Sequence, residues 1–308
     1  MKRVLLTGAA GFIGRHCLPL LSANGYEVHA VDLTVPSSGV LDVQWHRADL
    51  LNPGQVSELM ARVRPTHLLH FAWFVVPGKY WTSVENVRWV QASLDLLQAF
   101  ASHGGRRVVM AGTCAEYDWR YGYCSERITP LRPATLYGVC KHSLQMMLDA
   151  FAGQAGLSAA WGRIFFLYGP HEHPNRLVSS VIRSLLRGEP ARCSDGKQIR
   201  DFLYVEDVAR AFVTLLESGV SGPTNIASGC PVAVKDLLYG IAEKLNRRDL
   251  IHLDALPAHA NEPHLLVADV SRLFDEVGWS PEYDLDRGLE KTISWWRDHF
   301  LEENELRR

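Results

Sequence analysis

The chain is poor in cysteine, and the six it has (Cys17, Cys114, Cys124, Cys140, Cys193 and Cys230) form no CxxC pair and no metal-binding spacing. That excludes a disulfide framework of the secreted kind and favours a reducing compartment, so a cytoplasmic protein is expected. No apolar run approaches the roughly 20 residues needed to cross a bilayer. The basic start, MKRVLL, has only three apolar residues before Thr7 and Gly8 and reads as a strand entering a turn rather than a signal peptide. There is no excess of one charge either: the formal net charge is -2, which leaves neither a nucleic-acid footprint nor a polybasic membrane patch. A small soluble substrate is the default partner. No repeat or low-complexity segment interrupts the chain.

Apolar residues make up 47% of the 308, enough to bury a large core. Their pattern alternates short strands with helices: Val4–Thr7, a helix over Ile13–Asn24, a strand over Glu27–Asp32, a strand over Thr66–Phe71, a helix over Ser83–Ser102, a strand over Arg107–Ala111 and a helix over Leu136–Phe151. Strands that alternate with helices predict an α/β fold, a doubly wound parallel (Rossmann) sheet, with a smaller C-terminal substrate lobe. After a strand at Ala159–Phe165 the pattern loosens into YGPHEHPNR, a helix over Leu177–Arg187 and the polar stretch GEPARCSDGKQIRDF, where the lobe begins. Val205–Glu217 reads as a helix returning to the first body, so the two are interleaved. The expected division is 1–167 with about 203–228 for the cofactor body, and about 168–202 with 229–308 for the lobe. The charged tail from Asp298 is expected to fray.

TGAAGFIG places Gly8, Gly11 and Gly14 between the first strand and the first helix. The first glycine permits a tight turn, the second lets backbone approach a pyrophosphate, and the helix start presents N–H groups to the anion. Three glycines alone are weak evidence, but the next strand ends in VDL. Asp32 stands 18 residues beyond Gly14, where a carboxylate accepts from both ribose hydroxyls and repels the extra phosphate of NADP. NAD is therefore the expected cofactor. Asp49, in RADLLN, either approaches the adenine or caps a helix.

TLYGVCKH puts Tyr137 and Lys141 four apart on one helical face. A free phenol, with a pKa of about 10, is a poor base at neutral pH, and an adjacent ammonium favours the phenolate. YxxxK also occurs by chance, with the tyrosine packed and the lysine solvated. Here it follows a dinucleotide turn and a strand whose end bears Thr113, 24 residues earlier. Hydroxyl, phenol and ammonium make a proton-handling set. The HxH of His171 and His173 lacks a third ligand, so no metal is expected. In the tryptophan-rich segment from Trp73 to Trp89 some rings are expected in the core, and Trp73 and Trp119 are candidates to stack on a base or a sugar.

The ordered set TGAAGFIG, VDL, ADL, HFAW in place of the commoner HLAA, ENV, GTCAEY, YGVCK, RIFFLYGP, GKQIRDFLYVEDVA, TNIASG and VADVSR resembles the extended short-chain dehydrogenase/reductases of the NAD-dependent epimerase/dehydratase family, which act on nucleotide sugars. The resemblance implies Tyr137 as the acid/base, Lys141 as its electrostatic partner and nicotinamide-ribose ligand, and Thr113 as the second hydroxyl on the reacting oxygen. It implies cofactor contacts at Gly8, Gly11, Phe12, Ile13, Gly14 and Asp32, at Asp49 and Leu50, at Phe71, Ala72, Trp73 and Asn86, and near Phe165. On the substrate side it implies Thr113, Cys114, Asn175, Arg176 and Arg200. Arg200 would hold a diphosphate; the bland readings are a surface arginine paired with Asp201 and, for Asn175, a helix cap.

Departures from the family pattern narrow the reaction. Relatives that eliminate water carry TDE where this chain has Thr113, Cys114 and Ala115, which disfavours a 4,6-dehydratase. Glu116 before Tyr117 is similar to the EEY of some 4-keto-6-deoxyhexose reductases, and is otherwise an exposed loop acid. Many relatives have an arginine about ten residues before the Asp of VADVS; here His259 or His264 stands in that region. The resemblance implies an NDP-4-keto-6-deoxyhexose 4-reductase or dehydrogenase, with an NDP-sugar 4-epimerase as the alternative, acting as a homodimer through the long helices from Ser83 and Leu136. A non-catalytic NAD-sensing regulator would keep the glycines without needing Thr113, Tyr137 and Lys141 together.

Overall fold

The structure, a computed structural model, describes residues 2–36, 42–257 and 262–305. The chain opens with β1 (Arg3–Thr7), α1 (Gly14–Ala23) and β2 (Glu27–Asp32). Val4, Leu5 and Leu6 are wholly buried, as expected of a parallel strand covered on both faces. Then come β3 (Val43–Arg47), α2 (Pro53–Val63), β4 (His67–His70), α3 (Glu85–Ser102), β5 (Arg107–Thr113), β6 (Tyr123–Cys124), α4 (Leu136–Ala155) and β7 (Ser158–Ile164). The rest of the chain forms β8 (Phe166–Tyr168), α5 (Leu177–Leu186), β9 (Ala191–Arg192), β10 (Ile199–Tyr204), α6 (Val205–Glu217), β11 (Gly222–Ile226), β12 (Pro231–Ala233), α7 (Val234–Leu245), β13 (Ile251–His252), β14 (Leu265–Ala268) and α8 (Leu285–Glu305).

A seven-stranded parallel sheet runs in the order β11-β7-β5-β4-β1-β2-β3. This is the doubly wound order, in which the chain reverses direction across the sheet between β1 and β4 and opens a crevice at their carboxyl ends. One face is covered by α1 and α6, where Cys17, Leu18 and Leu21 meet Val208, Phe212 and Leu215. The other is covered by α2, α3 and α4 through Leu59, Leu96, Phe100, Leu144 and Leu148.

A second sheet, β12-β10-β14-β6 with β8 beside β10, forms the base of the smaller lobe. Its core joins α5, α7 and α8 through Ile182, Leu238, Ile241, Ile293 and Trp296. Two features differ from the sequence reading. The short strand β6, within 1–167, pairs with β14 of the lobe. The C-terminal helix continues to Glu305 where fraying was expected from Asp298, because Trp296 is buried in the lobe core and His299 stacks on Trp295 at 3.7 Å. No helix among the described residues is long and apolar enough to cross a membrane.

Candidate active site

The turn after β1 is built for close approach. Gly8 has φ +65°, and a Cβ there would meet the Ala72 backbone nitrogen at 2.9 Å, so the turn packs directly on the end of β4. A Cβ on Gly14 would lie 2.2 Å from the Gly8 carbonyl oxygen. Gly11 is exposed at the mouth of the turn, beside half-buried Phe12 and Ile13. The Asp32 carboxylate accepts from Ala10 N at 3.1 Å and Leu33 N at 2.8 Å, so it sits beside the turn at the end of β2. A glycine cradle, a helix start and a strand-end carboxylate in one crevice fit an adenine dinucleotide.

Other expected cofactor residues divide. The Asp49 carboxylate accepts from Leu51 N, and the cap of α2 is instead Asn52, which accepts from Gly54 N and Gln55 N, so the helix-cap reading of Asp49 is corrected. The Leu50 side chain is packed in the core beneath α2, and half-buried Phe71 packs edge-on against Phe212 at 4.8 Å. Ala72 faces Gly8, and its N–H donates to Thr7 Oγ1. Phe165 is buried, its N–H donating to Ile226 O. Asn86 is also turned inward: Trp73 Nε1 donates to its oxygen at 2.9 Å while its amide donates to Tyr80 O and Ser83 O. It therefore organises the tryptophan-rich segment.

Thr113 ends β5, and Tyr137 and Lys141 lie in the first two turns of α4, whose start is capped by Thr135 Oγ1 accepting from Gly138 N. A Cβ on Gly138 would lie 2.4 Å from Ala115 O, so this glycine lets α4 press against the loop after β5 and bring the phenol to Thr113. Burial pushes the Tyr137 phenol well above its usual value; nearby Tyr80 adds to this, and a hydrogen bond with the Thr113 hydroxyl opposes it. Lys141 Nζ donates to Ala111 O at 2.8 Å and lies 3.8 Å from the centre of the Trp73 ring. Burial lowers the Lys141 ammonium to about 7, opposed by Glu116.

Glu116 is not an exposed loop acid. It is fully buried, accepting from Thr113 N at 2.8 Å, Trp161 Nε1 at 2.9 Å and Arg163 Nε at 2.6 Å. Arg163, also fully buried, reaches Tyr117 OH and Gln145 Oε1. Thus the backbone of Thr113 is fixed by a carboxylate whose charge is compensated from behind. Burial raises the Cys114 thiol far above its usual value, so it stands by as a neutral group.

The tryptophan-rich segment wraps the phenol. Tyr80 and Trp81 meet the Tyr137 ring edge-on at 4.9 and 5.7 Å, Trp119 meets Trp81 at 6.0 Å, and Tyr137 N donates to Trp81 O. Arg176 extends this wall, its guanidinium 5.2 Å from the Tyr80 ring centre. Asn175 is exposed and does not cap α5 by its side chain, since the cap position belongs to Arg176. Arg200 is not a surface residue paired with Asp201: it is buried, donating to Glu262 at 2.8 Å and to the Ile199 carbonyl. Asp201 accepts from Ser228, Gly229 and Ala268 instead. His264 contributes only its backbone to this corner, accepting from Ile199 N, and His259 lies outside the described residues.

His171 bonds Arg15 and packs on Trp295 at 4.6 Å, as a joint between α1 and α8. Among the described residues no group of three His, Cys, Asp or Glu side chains is placed to hold a metal ion. Tyr80, Trp161, Arg163 and Glu262 were not singled out from sequence. Only Gly112 signals one of them, because a Cβ there would lie 2.0 Å from Trp161 Nε1.

Residues 4–227 match the model of the NAD dependent epimerase/dehydratase family. UDP-glucuronic acid decarboxylase 1 of Danio rerio is 27% identical over 96% of this chain and 72% of its own length. UDP-glucose 4-epimerase of Rhizobium leguminosarum bv. trifolii is 27% identical over 96% of this chain and 97% of its own. Among solved structures, MoeE5 in complex with UDP-glucuronic acid and NAD is 32% identical with a TM-score of 0.84, covering 97% of this chain and 100% of that one.

Proposed function

The chain belongs to the NAD dependent epimerase/dehydratase family, with NAD as its cofactor, and on that premise we propose that it reduces a ketone, or oxidises the matching alcohol, at C4 of a nucleotide-diphosphate hexose. The observation that carries this reading is that, among the described residues gathered at the end of β5, Tyr137 is the proton-transferring side chain free to serve the site. Thr113 bonds it, Cys114 is a neutral thiol, Ala115 has no function to offer, and Glu116 is spent on Arg163 and Trp161. Elimination of water calls for a separate acid and base, whereas reduction at one carbon calls for one proton and one hydride. The reduced cofactor supplies the hydride. Tyr137, held protonated by burial, starts in the state that delivers a proton to a carbonyl oxygen, and Thr113 orients that oxygen. Lys141 holds the nicotinamide ribose.

The substrate reading is an NDP-4-keto-6-deoxyhexose. A second reading, NDP-sugar 4-epimerase, is favoured by the near full-length match to UDP-glucose 4-epimerases. The test is thermal stabilisation by UDP, dTDP, GDP and CDP sugars in the presence of NAD, followed by NMR of the product and the balance of reduced cofactor. Stoichiometric loss of reduced cofactor with a new C4 alcohol is expected. A C4 epimer with no net cofactor change selects the second reading. A product lacking water relative to its hexose substrate, or no response to any sugar, overturns both.

A further inference from the structure

The Lys141 ammonium is boxed by two indoles. Trp73 lies 3.8 Å from Nζ to ring centre and Trp161 5.9 Å, while the Ala111 carbonyl takes one of its protons. Trp73 is itself fixed, buried among α3 and α4 residues and donating from Nε1 to Asn86, whose other polar atoms are tied to Tyr80 and Ser83. A buried ammonium has lost most of its water, and a ring face within about 6 Å restores part of that stabilisation through its quadrupole. The motif HFAW puts a tryptophan at position 73, where the resemblance implies a small residue.

We propose that Trp73 is a positioning residue for Lys141: its face keeps the ammonium charged and aimed along the end of β5, where the nicotinamide ribose is to be held. The inference rests on the assignment of Lys141 as a cofactor ligand. The other ionisable groups facing the ammonium are Glu116 from the loop after β5, which favours its charge, His70 at the end of β4, and Tyr137 one turn earlier on α4. His70 is neutral, pushed down to about 3 by burial and then by Lys141, and Tyr137 is neutral through burial, so Glu116 and the indole are what offset the cost of burying the charge.

Calorimetric titration of the full chain with NAD across neutral and mildly alkaline pH tests this without knowledge of the sugar. In the unaltered protein the affinity falls as pH rises through the Lys141 pKa. Trp73→Leu keeps an apolar side chain and removes the face; it moves this fall to lower pH by about one pH unit, a tenfold weaker affinity on the alkaline side. Trp73→Phe also loses the Asn86 bond but keeps a weaker face, so its fall lies between the two, and it decides the matter if the leucine variant does not fold. Lys141→Met abolishes the pH step. A step that survives Lys141→Met overturns the assignment of Lys141 itself. A step lost in Lys141→Met yet unmoved in Trp73→Leu, or moved equally by phenylalanine and leucine, overturns the role of the indole alone.

Discussion

Glu116 and Arg163 form an ion pair of 2.6 Å from which solvent is wholly excluded, directly behind the backbone of Thr113. Burying two charges is costly, and their attraction offsets this only because the remaining donors and acceptors are also taken up, by Trp161, Tyr117 and Gln145. Glu116→Ala leaves Arg163 charged and uncompensated, and is expected to cost about 3–5 kcal/mol. Urea unfolding measures it. A loss below about 1 kcal/mol would mean that water reaches this pair.

Tyr137→Phe preserves the ring packing against Tyr80 and Trp81 and removes only the hydroxyl. Turnover is expected to fall by roughly 10² to 10⁴ with NAD affinity nearly unchanged. Single-turnover kinetics under conditions where hydride transfer limits the rate provide the check. A variant within about threefold of normal rules out the phenol as acid/base.

Asp32→Ala removes both a charge at the ribose end of the crevice and the acceptor for Ala10 N. NAD binding is expected to weaken, and the preference for NAD over NADP to relax by roughly tenfold or more, the size of a single repulsion of about 1.4 kcal/mol. Paired titrations with the two cofactors measure it. An unaltered protein that binds both equally contradicts the role given to this carboxylate.

Acid should destabilise the fold. His70 is pushed down to about 3, chiefly by burial, and His46, His67 and His171 to about 4 by the same cause, from an ordinary 6.5. Below pH 6.5 the unfolded chain takes up protons that the folded chain refuses, so stability is lost as pH falls from 6.5 toward 4, by up to about 1.4 kcal/mol per pH unit for the buried His70 and by less for the half-buried His46 and His67 and the exposed His171, which solvent screens. Glu172 works in the opposite sense, since burial raises it to about 7 and its protonated form is the one the fold prefers, and burial raises Glu126, Asp149 and Asp201 likewise; the hydrogen bonds that lower Glu27, Asp118, Asp195, Asp269 and Glu276 add to the loss in acid. Melting temperature against pH should therefore fall on the acid side, and His70→Gln should flatten the slope. A flat profile in the unaltered protein contradicts this.

The outward faces of α3 and α4 expose Val84, Val87, Val139, Met146 and Met147. A homodimer through these helices is expected, and Met146→Asp combined with Val87→Asp should give monomer in light scattering. A monomeric unaltered protein at micromolar concentration counts against it.

How much of this was legible in the sequence depended on the distance over which each feature is encoded. The turn Gly8 to Gly14 and the pair Tyr137 and Lys141 are local, so glycine sterics and helix periodicity suffice to find them. Glu116 read as a loop acid because its partner Arg163 is 47 residues away and is brought beside it by the pairing of β5 with β7. Arg200 was similarly obscured: its partner Glu262 is 62 residues on, and QIRDF reads as polar loop until β10 buries both Arg200 and Asp201. The contact of the Lys141 ammonium with the Trp73 ring depends on rotamers and burial, which spacing along a helix does not encode.

The passage of the chain through β6 limits how the protein can be divided. This two-residue strand leaves the cofactor body between β5 and α4, pairs with β14 some 140 residues later, and returns to supply Tyr137 and Lys141. Near the other end, β10 of the lobe leads without a linker into α6 of the cofactor body. No single cut therefore yields two self-sufficient pieces: a fragment ending before Leu265 leaves β6 with no neighbour, and a lobe excised from residue 168 onward takes α6 and β11 away from the first sheet. The cofactor body and the lobe are thus interlocked, and each lacks a strand or helix without the other.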